Sequence, residues 1–273
     1  MTIKLVAFDM DGTFLNDHNT YNHQRFGEIL QKLRAKGIRV VAASGSQYQR
    51  LQDQFTEFKS EMDFVSQNGA AVYSEDKPLL VRAMPAEAVK ATLDIIHQQF
   101  EPTDIAEHLV VGVKSAYVDE NISQAAYDLT YHYYNHLQKV ADLATVTPQR
   151  LQDQITSIGI TFEAGVDFDS MINGLRQQLP LGLASQTSGY NTELISDNSV
   201  NKAAGLRELQ NKFNIADDEI MTFGDNENDL SMLKLTPYGY AVANAEDKIK
   251  KQVTHFTDSN NDEGVLNILN SLV

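Results

Sequence analysis

The sequence has no cysteine and no tryptophan among its 273 residues. Without cysteine there are no disulfides and no thiolate metal ligands, so a reducing compartment, the cytoplasm, is expected. Long apolar runs are also missing. No stretch approaches the roughly 18 residues that a membrane helix needs, and the first residues, Met1 to Leu5, lack the layout of a signal peptide. Asn121-Ile122-Ser123 has the form of a glycosylation sequon, which without a secretion signal is a chance match. Positive charge is in short supply, with 22 Lys and Arg against 37 Asp and Glu and a net charge of −15. Such a surface repels nucleic acid and anionic lipid, so neither is an expected partner. It repels phosphorylated compounds as well. Any phosphate site must therefore carry its own local positive charge, from a metal, a lysine or backbone N–H groups.

The chain is 42% hydrophobic, enough for a large core and a second domain. Its first third alternates buried-strand and helix patterns. Ile3–Phe8 and Ile38–Ala43 are unbroken apolar runs, and Phe64–Ser66 is a shorter one. Asn22–Lys36 carries Phe26, Ile29, Leu30 and Leu33 at helical spacing, with Gly37 as a stop. Gln47–Phe58 also reads as a helix. Apolar strands alternating with helices predict a parallel sheet covered on both faces. The middle predicts an α+β unit: helices at Pro85–Phe100, Ser123–Ala144 and Phe168–Leu179, and strands at Leu109–Val113, Ile155–Phe162, Gly182–Ser185 and Thr192–Ser196. From Lys202 the first pattern returns, with helix Ala203–Phe213, strand Ile220–Phe223 and a closing helix, Glu263–Leu272. The expected fold is α/β: a Rossmann-like three-layer core from residues 1–83 and 197–273, interrupted by an α+β cap at 84–196.

The chemistry-bearing residues follow the buried strands. Asp9 and Asp11 leave the first strand just before Gly12-Thr13. One carboxylate could attack phosphorus while the other moves the proton that a leaving group needs. A dianionic phosphate repels a carboxylate, so a cation must stand between them, and Mg²⁺ with oxygen ligands is the natural one. Gly224-Asp225-Asn226-Glu227-Asn228-Asp229 likewise follows an apolar strand and supplies further carboxylates. In open α/β sheets, ligands bind at the carboxyl ends of strands, so Asp9 and Asp225 could meet there. Ser44-Gly45 ends a third strand and could hold a phosphate through a hydroxyl and backbone N–H groups. Lys202 opens a helix and could neutralise both phosphate and nucleophile. His132 and His136, four apart in the predicted Ser123–Ala144 helix, would share a face. No third ligand accompanies them, and cap packing is the expected role.

Together, Asp9-x-Asp11-Gly12-Thr13, Ser44-Gly45, Lys202 and Gly224-Asp225-x-x-Asn228-Asp229 resemble the four motifs of the haloacid-dehalogenase-like (HAD) hydrolases. The chain is similar to the Cof-type phosphatases, which carry a type II, subclass B cap. Gln67–Ala70, Ala241–Ala245 and Asn260–Gly264 add to the resemblance, which covers both halves of the core. It implies Asp9 as nucleophile and Asp11 as general acid and base. It implies Ser44, Gly45, Lys202 and Asn228 around the phosphate, Mg²⁺ on Asp9, Asp11 and Asp225, and Asp229 just outside the metal's ligands. A small phosphorylated metabolite, foremost a sugar phosphate, is the implied substrate, for a monomer or weak homodimer. A hexose-phosphate mutase and a metabolite-binding regulator that has lost catalysis remain alternatives. One position departs from the family pattern: Ser46 stands where many relatives have Arg. A positive charge near the site is therefore expected to be missing, with consequences for substrate affinity more than for chemistry.

Overall fold

A computed structural model describes residues 2–187 and 191–273. The chain divides into two compact units, residues through Leu80 together with Asn201–Val273, and Val81–Val200. In chain order the first unit begins with β1 (Leu5–Phe8), α1 (His23–Ala35), β2 (Arg39–Ala43), α2 (Tyr48–Gln54), β3 (Asp63–Ser66), β4 (Ala71–Ser74) and β5 (Lys77–Val81). The second contains α3 (Ala86–Gln99), β6 (Ile105–Gly112), β7 (Ala116–Asp119), α4 (Gln124–Tyr133), β8 (Leu137–Val140), α5 (Pro148–Leu151), β9 (Ile155–Phe162), α6 (Phe168–Gln178), β10 (Leu183–Thr187) and β11 (Thr192–Asp197). The first resumes with α7 (Lys202–Phe213), β12 (Ile220–Gly224), α8 (Leu230–Leu233), β13 (Gly239–Val242), α9 (Asp247–Lys250), β14 (His255–Thr257) and α10 (Gly264–Ser271).

The first unit is built on one sheet of order β14-β13-β12-β1-β2-β3-β4-β5. From β14 to β3 the neighbours run parallel, and β4 turns antiparallel to β3. The unbroken apolar runs have a physical reason, because successive side chains of a strand point to opposite faces and both faces here are covered. Val6 and Phe8 join a cluster with Phe26, Ile29, Leu30 and Leu33 of α1 and Leu266 of α10. Leu5 and Ala7 join Leu206 and Leu209 of α7 on the other side. The result is the three-layer α/β core that the alternating pattern predicts. Helix α1 starts where the Asn22 side chain accepts the Arg25 N–H, and its apolar positions are the four buried ones.

The second unit has a six-stranded sheet of order β10-β11-β9-β6-β7-β8. Val110, Ile158, Ile160 and Ile195 pack against α3 and α6, while Leu109, Val111, Ala116 and Val118 form a smaller cluster with Tyr127, Tyr134 and Leu137. Here the predicted helix Ser123–Ala144 is corrected. It stops at Tyr133, and Leu137–Val140 forms a parallel edge strand on β7, in the register Ala116↔Leu137 to Asp119↔Val140. Long-range pairing outweighs local helical pattern there. Because His136 lies beyond the end of α4, it shares no helix face with His132. The Gln47–Phe58 pattern is also shorter as a helix, ending at Gln54.

Candidate active site

Backbone pairing brings the motifs to one edge. Phe8 lies opposite Phe223 on one side and Ala42 on the other. Strands β1, β2 and β12 therefore release Asp9, Ser44 and Asp225 at the same ends, and the Asp9 N–H still bonds the Phe223 carbonyl at 3.0 Å. Lys202 arrives from the first turn of α7, whose cap is the Asn201 side chain on the Ala204 N–H at 2.9 Å. That turn can sit so close only because Gly69 faces it. Gly69 has φ +99°, and a Cβ on it would lie 2.2 Å from the Asn201 carbonyl oxygen. Gly12 is constrained in the same way, with φ +79° and a hypothetical Cβ 2.8 Å from Asp225 Oδ2.

Four of the predicted residues form one cluster, with Asp9, Asp229 and Lys202 buried and Asp225 half-buried. Carboxylate oxygens of Asp9, Asp225 and Asp229 all lie within 4.8 Å of one another. The Lys202 ammonium, wholly buried, donates to Asp9 and, at 2.5 Å, to Asp229 Oδ1. The other oxygen of Asp229 accepts the backbone N–H groups of Asp225 and Asn226 at 2.9 and 3.1 Å, so this residue shapes the turn that carries Asp225. Thr13, the residue after Gly12 in the first motif, donates its hydroxyl to Asp225 at 2.6 Å.

The charges are unbalanced. Three carboxylates against one ammonium leave two negative charges in excess. Burial, followed by the charge of Asp229, holds the Asp9 carboxyl well above its ordinary range, although Lys202 opposes the shift. Asp225 is pushed up to about 6 by burial and then by Asp229, against the relief from the Thr13 hydroxyl. Burial works against the Lys202 ammonium, but the charges of Asp229 and Asp9 outweigh it and hold its acidity below that of a free lysine. An all-oxygen donor set with a surplus of two negative charges suits a divalent cation.

Ser44 and Gly45 form the neighbouring loop. The Ser44 hydroxyl accepts the Ser46 N–H at 3.1 Å, and the Ser44 carbonyl accepts the Asn68 N–H at 3.0 Å. The Asn68 side chain in turn accepts from Asn228 Nδ2 at 3.1 Å, tying this loop to the one that bears Asp225 and Asp229. Two further matching segments brace the first loop. Asn244 donates to the Gly12 carbonyl at 2.7 Å, and Asn260 donates to the Leu15 carbonyl at 3.0 Å.

Asp11 does not turn its carboxylate into the cluster. Its two oxygens accept from Arg50 Nη1 and Nη2 at 2.9 and 2.8 Å, and Nη1 also donates to the Ser46 hydroxyl. This corrects the expectation of a missing positive charge: the guanidinium comes from α2, one helical turn past Ser46. The sequence carried one usable signal, an Arg in the first turn of the helix that follows the Ser44-Gly45 loop.

A model of haloacid dehalogenase-like hydrolases matches residues 6–269. The chain belongs to that family. It is 33% identical, over all of its own length and 97% of the relative, to the 5-amino-6-(5-phospho-D-ribitylamino)uracil phosphatase YbjI of Escherichia coli strain K12. Among solved structures it is similar to SMU.1108c from Streptococcus mutans UA159, with TM-score 0.87, 26% identity and 99% of both chains covered. It also matches the HAD subclass IIB sugar phosphatase BT4131, with TM-score 0.79, 18% identity and 98% of both chains covered, a likeness of fold. This HAD protein is of the Cof type, and it is a phosphatase.

Proposed function

We propose that the protein is a Mg²⁺-dependent phosphatase that hydrolyses phosphate monoesters of small metabolites through an aspartyl-phosphate on Asp9. The observation that carries this reading is the cluster of Asp9, half-buried Asp225 and Asp229 around the buried Lys202, at the ends of parallel strands. An oxygen of Asp9 attacks phosphorus, the bond from phosphorus to the ester oxygen breaks, and Asp11 gives that oxygen its proton. Water then attacks the aspartyl-phosphate, Asp11 takes the water's proton, and phosphate leaves with Asp9 restored. Ser44, Gly45, Lys202 and Asn228 hold the phosphoryl oxygens. Asp9, Asp225 and the Asp11 backbone carbonyl would hold the Mg²⁺, whose charge offsets that of the phosphate. Asp229 keeps Lys202 and the Asp225 turn in place from outside that set.

The inserted unit, Val81–Val200, is assigned the choice of substrate. The substrates to try first are phosphates on a sugar or sugar-alcohol chain, because the E. coli relative is named for a phosphoribityl compound. The test is phosphate release from a panel of such esters, with Mg²⁺ and with chelator, for the parent and Asp9→Asn. Turnover should require Mg²⁺ and vanish in the variant. Sustained turnover by Asp9→Asn would sink the mechanism.

A further inference from the structure

We infer that Arg50 is the positioning residue for Asp11, so that the placement of the acid–base carboxyl depends on a side chain of α2. The inference rests on the reading of Asp11 as general acid and base. Arg50 is buried, with 7% of its side chain exposed, and a desolvated guanidinium needs fixed acceptors. It has them on two elements. Both Asp11 oxygens take one N–H each, at 2.9 and 2.8 Å, and the buried Ser46 hydroxyl takes another. A planar fork bound to both oxygens fixes the plane of the carboxylate as well as its distance, which a single ammonium cannot do.

Asp11 itself is 37% exposed. Each of its oxygens has a second lone pair besides the one that meets Arg50. The carboxyl is thus held from behind while its open side can exchange a proton. The anchoring also reaches the phosphate loop, because the Ser46 N–H donates to the Ser44 hydroxyl. One run of contacts, from Ser44 through Ser46 and Arg50 to Asp11, joins the group assigned to hold phosphate with the group assigned to move protons.

The experiment separates positioning from binding by leaving group. A simple alkyl phosphate needs a proton on its departing oxygen, whereas p-nitrophenyl phosphate does not. Transient kinetics with Mg²⁺ would be run on the parent, Asp11→Asn, Arg50→Gln, Arg50→Lys and Ser46→Ala, with a melting curve for each. Arg50→Gln should lose about 100-fold in the first step on the alkyl ester, within the range of general acid catalysis. Its first step on p-nitrophenyl phosphate should change less than about 5-fold, with a nitrophenolate burst, because breakdown still needs Asp11 as base. The substrate Kd, read from the concentration dependence of the first step, should hardly move. Arg50→Lys keeps the charge without the fork and should show the same selective loss, as should Ser46→Ala to a smaller degree. These two variants carry the test if Arg50→Gln does not fold. Equal losses on both esters with a raised substrate Kd would overturn the inference by making Arg50 a phosphate ligand. Parent-like rates in folded Arg50 variants would overturn it too. If Asp11→Asn showed no leaving-group dependence, the acid–base reading would fail, and this inference with it.

Discussion

Replacing Lys202 with Met would test the electrostatics of the cluster by a route that needs no substrate. Methionine nearly matches the lysine stem, so little cavity cost is added. What is lost is the ammonium that faces Asp9 and Asp229, both buried. Removing one member of a buried ion pair costs about 3–5 kcal/mol, because the partner stays buried and unpaired. Here two carboxylates lose their counter-charge, and Asp225 stands within the same 4.8 Å group. A value near the middle of that range, about 4 kcal/mol, corresponds at roughly 3 °C per kcal/mol to a fall of about 12 °C in Tm. Melting would be followed in chelator at pH 7.5. Lys202→Met/Asp229→Asn should melt higher than Lys202→Met alone, since the Asn oxygen can still accept the Asp225 and Asn226 N–H groups while one buried charge is gone. The deficit of Lys202→Met should also shrink below about pH 6. Folding raises the affinity of the unpaired carboxyls for protons, so the folded state gains relative to the unfolded one as pH falls. A single variant within about 3 °C of the parent would refute the reasoning. So would a double variant that loses the sum of the two single costs.

Two further outcomes follow from the same groups and from the second unit. Mg²⁺ at 100 times its Kd should stabilise the parent by about 2.7 kcal/mol. Asp225→Asn should lose most of that gain, and the gain should shrink below pH 6, where Asp225, pushed up to about 6, takes a proton; an undiminished Mg²⁺ shift in the variant would remove Asp225 from the ligand set. Burial pushes the His108 imidazole down to about 4 from its ordinary 6.5. A folded-state value below the unfolded one means that stability is lost as pH falls from about 6.5 to about 4, by at most about 3 kcal/mol. Urea titrations should therefore show the parent losing stability relative to His108→Phe as pH falls from about 6.5 to about 4, and parallel curves across that window would contradict this.

The sequence made the core legible because β1, β2 and β12 are buried on both faces, which leaves an apolar run that few other structures produce. The residues at their ends carry the candidate site, so the position of Asp9, Ser44 and Asp225 along the chain already indicated a shared edge. Lys202 was readable only together with the others, since a lysine in a first helical turn is commonplace. What stayed hidden depends on contacts between distant residues. Leu137–Val140 becomes a strand only by pairing with β7. Arg50 acquires its task from the direction in which α2 leaves the Ser44-Gly45 loop, and Thr13 from a partner 212 positions away. Thr13 leaves no local pattern, and Arg50 leaves only an arginine in the first turn of the helix after that loop.

Strand β1 lies between β2 and β12, which pair with Leu5 through Arg39 and Ile220. During synthesis the first of these partners emerges almost at once. The second follows 215 residues after Leu5, roughly 10–40 s later at ordinary elongation rates. Throughout that interval the nascent first half has one open, apolar β1 edge, able to pair with the wrong strand. The inserted unit can fold in the meantime from its own contiguous residues. The Asp9–Asp225–Asp229–Lys202 cluster is then assembled only after β12 has emerged, so a product cut short before that strand would keep Asp9, the proposed nucleophile, without the residues proposed to make it one.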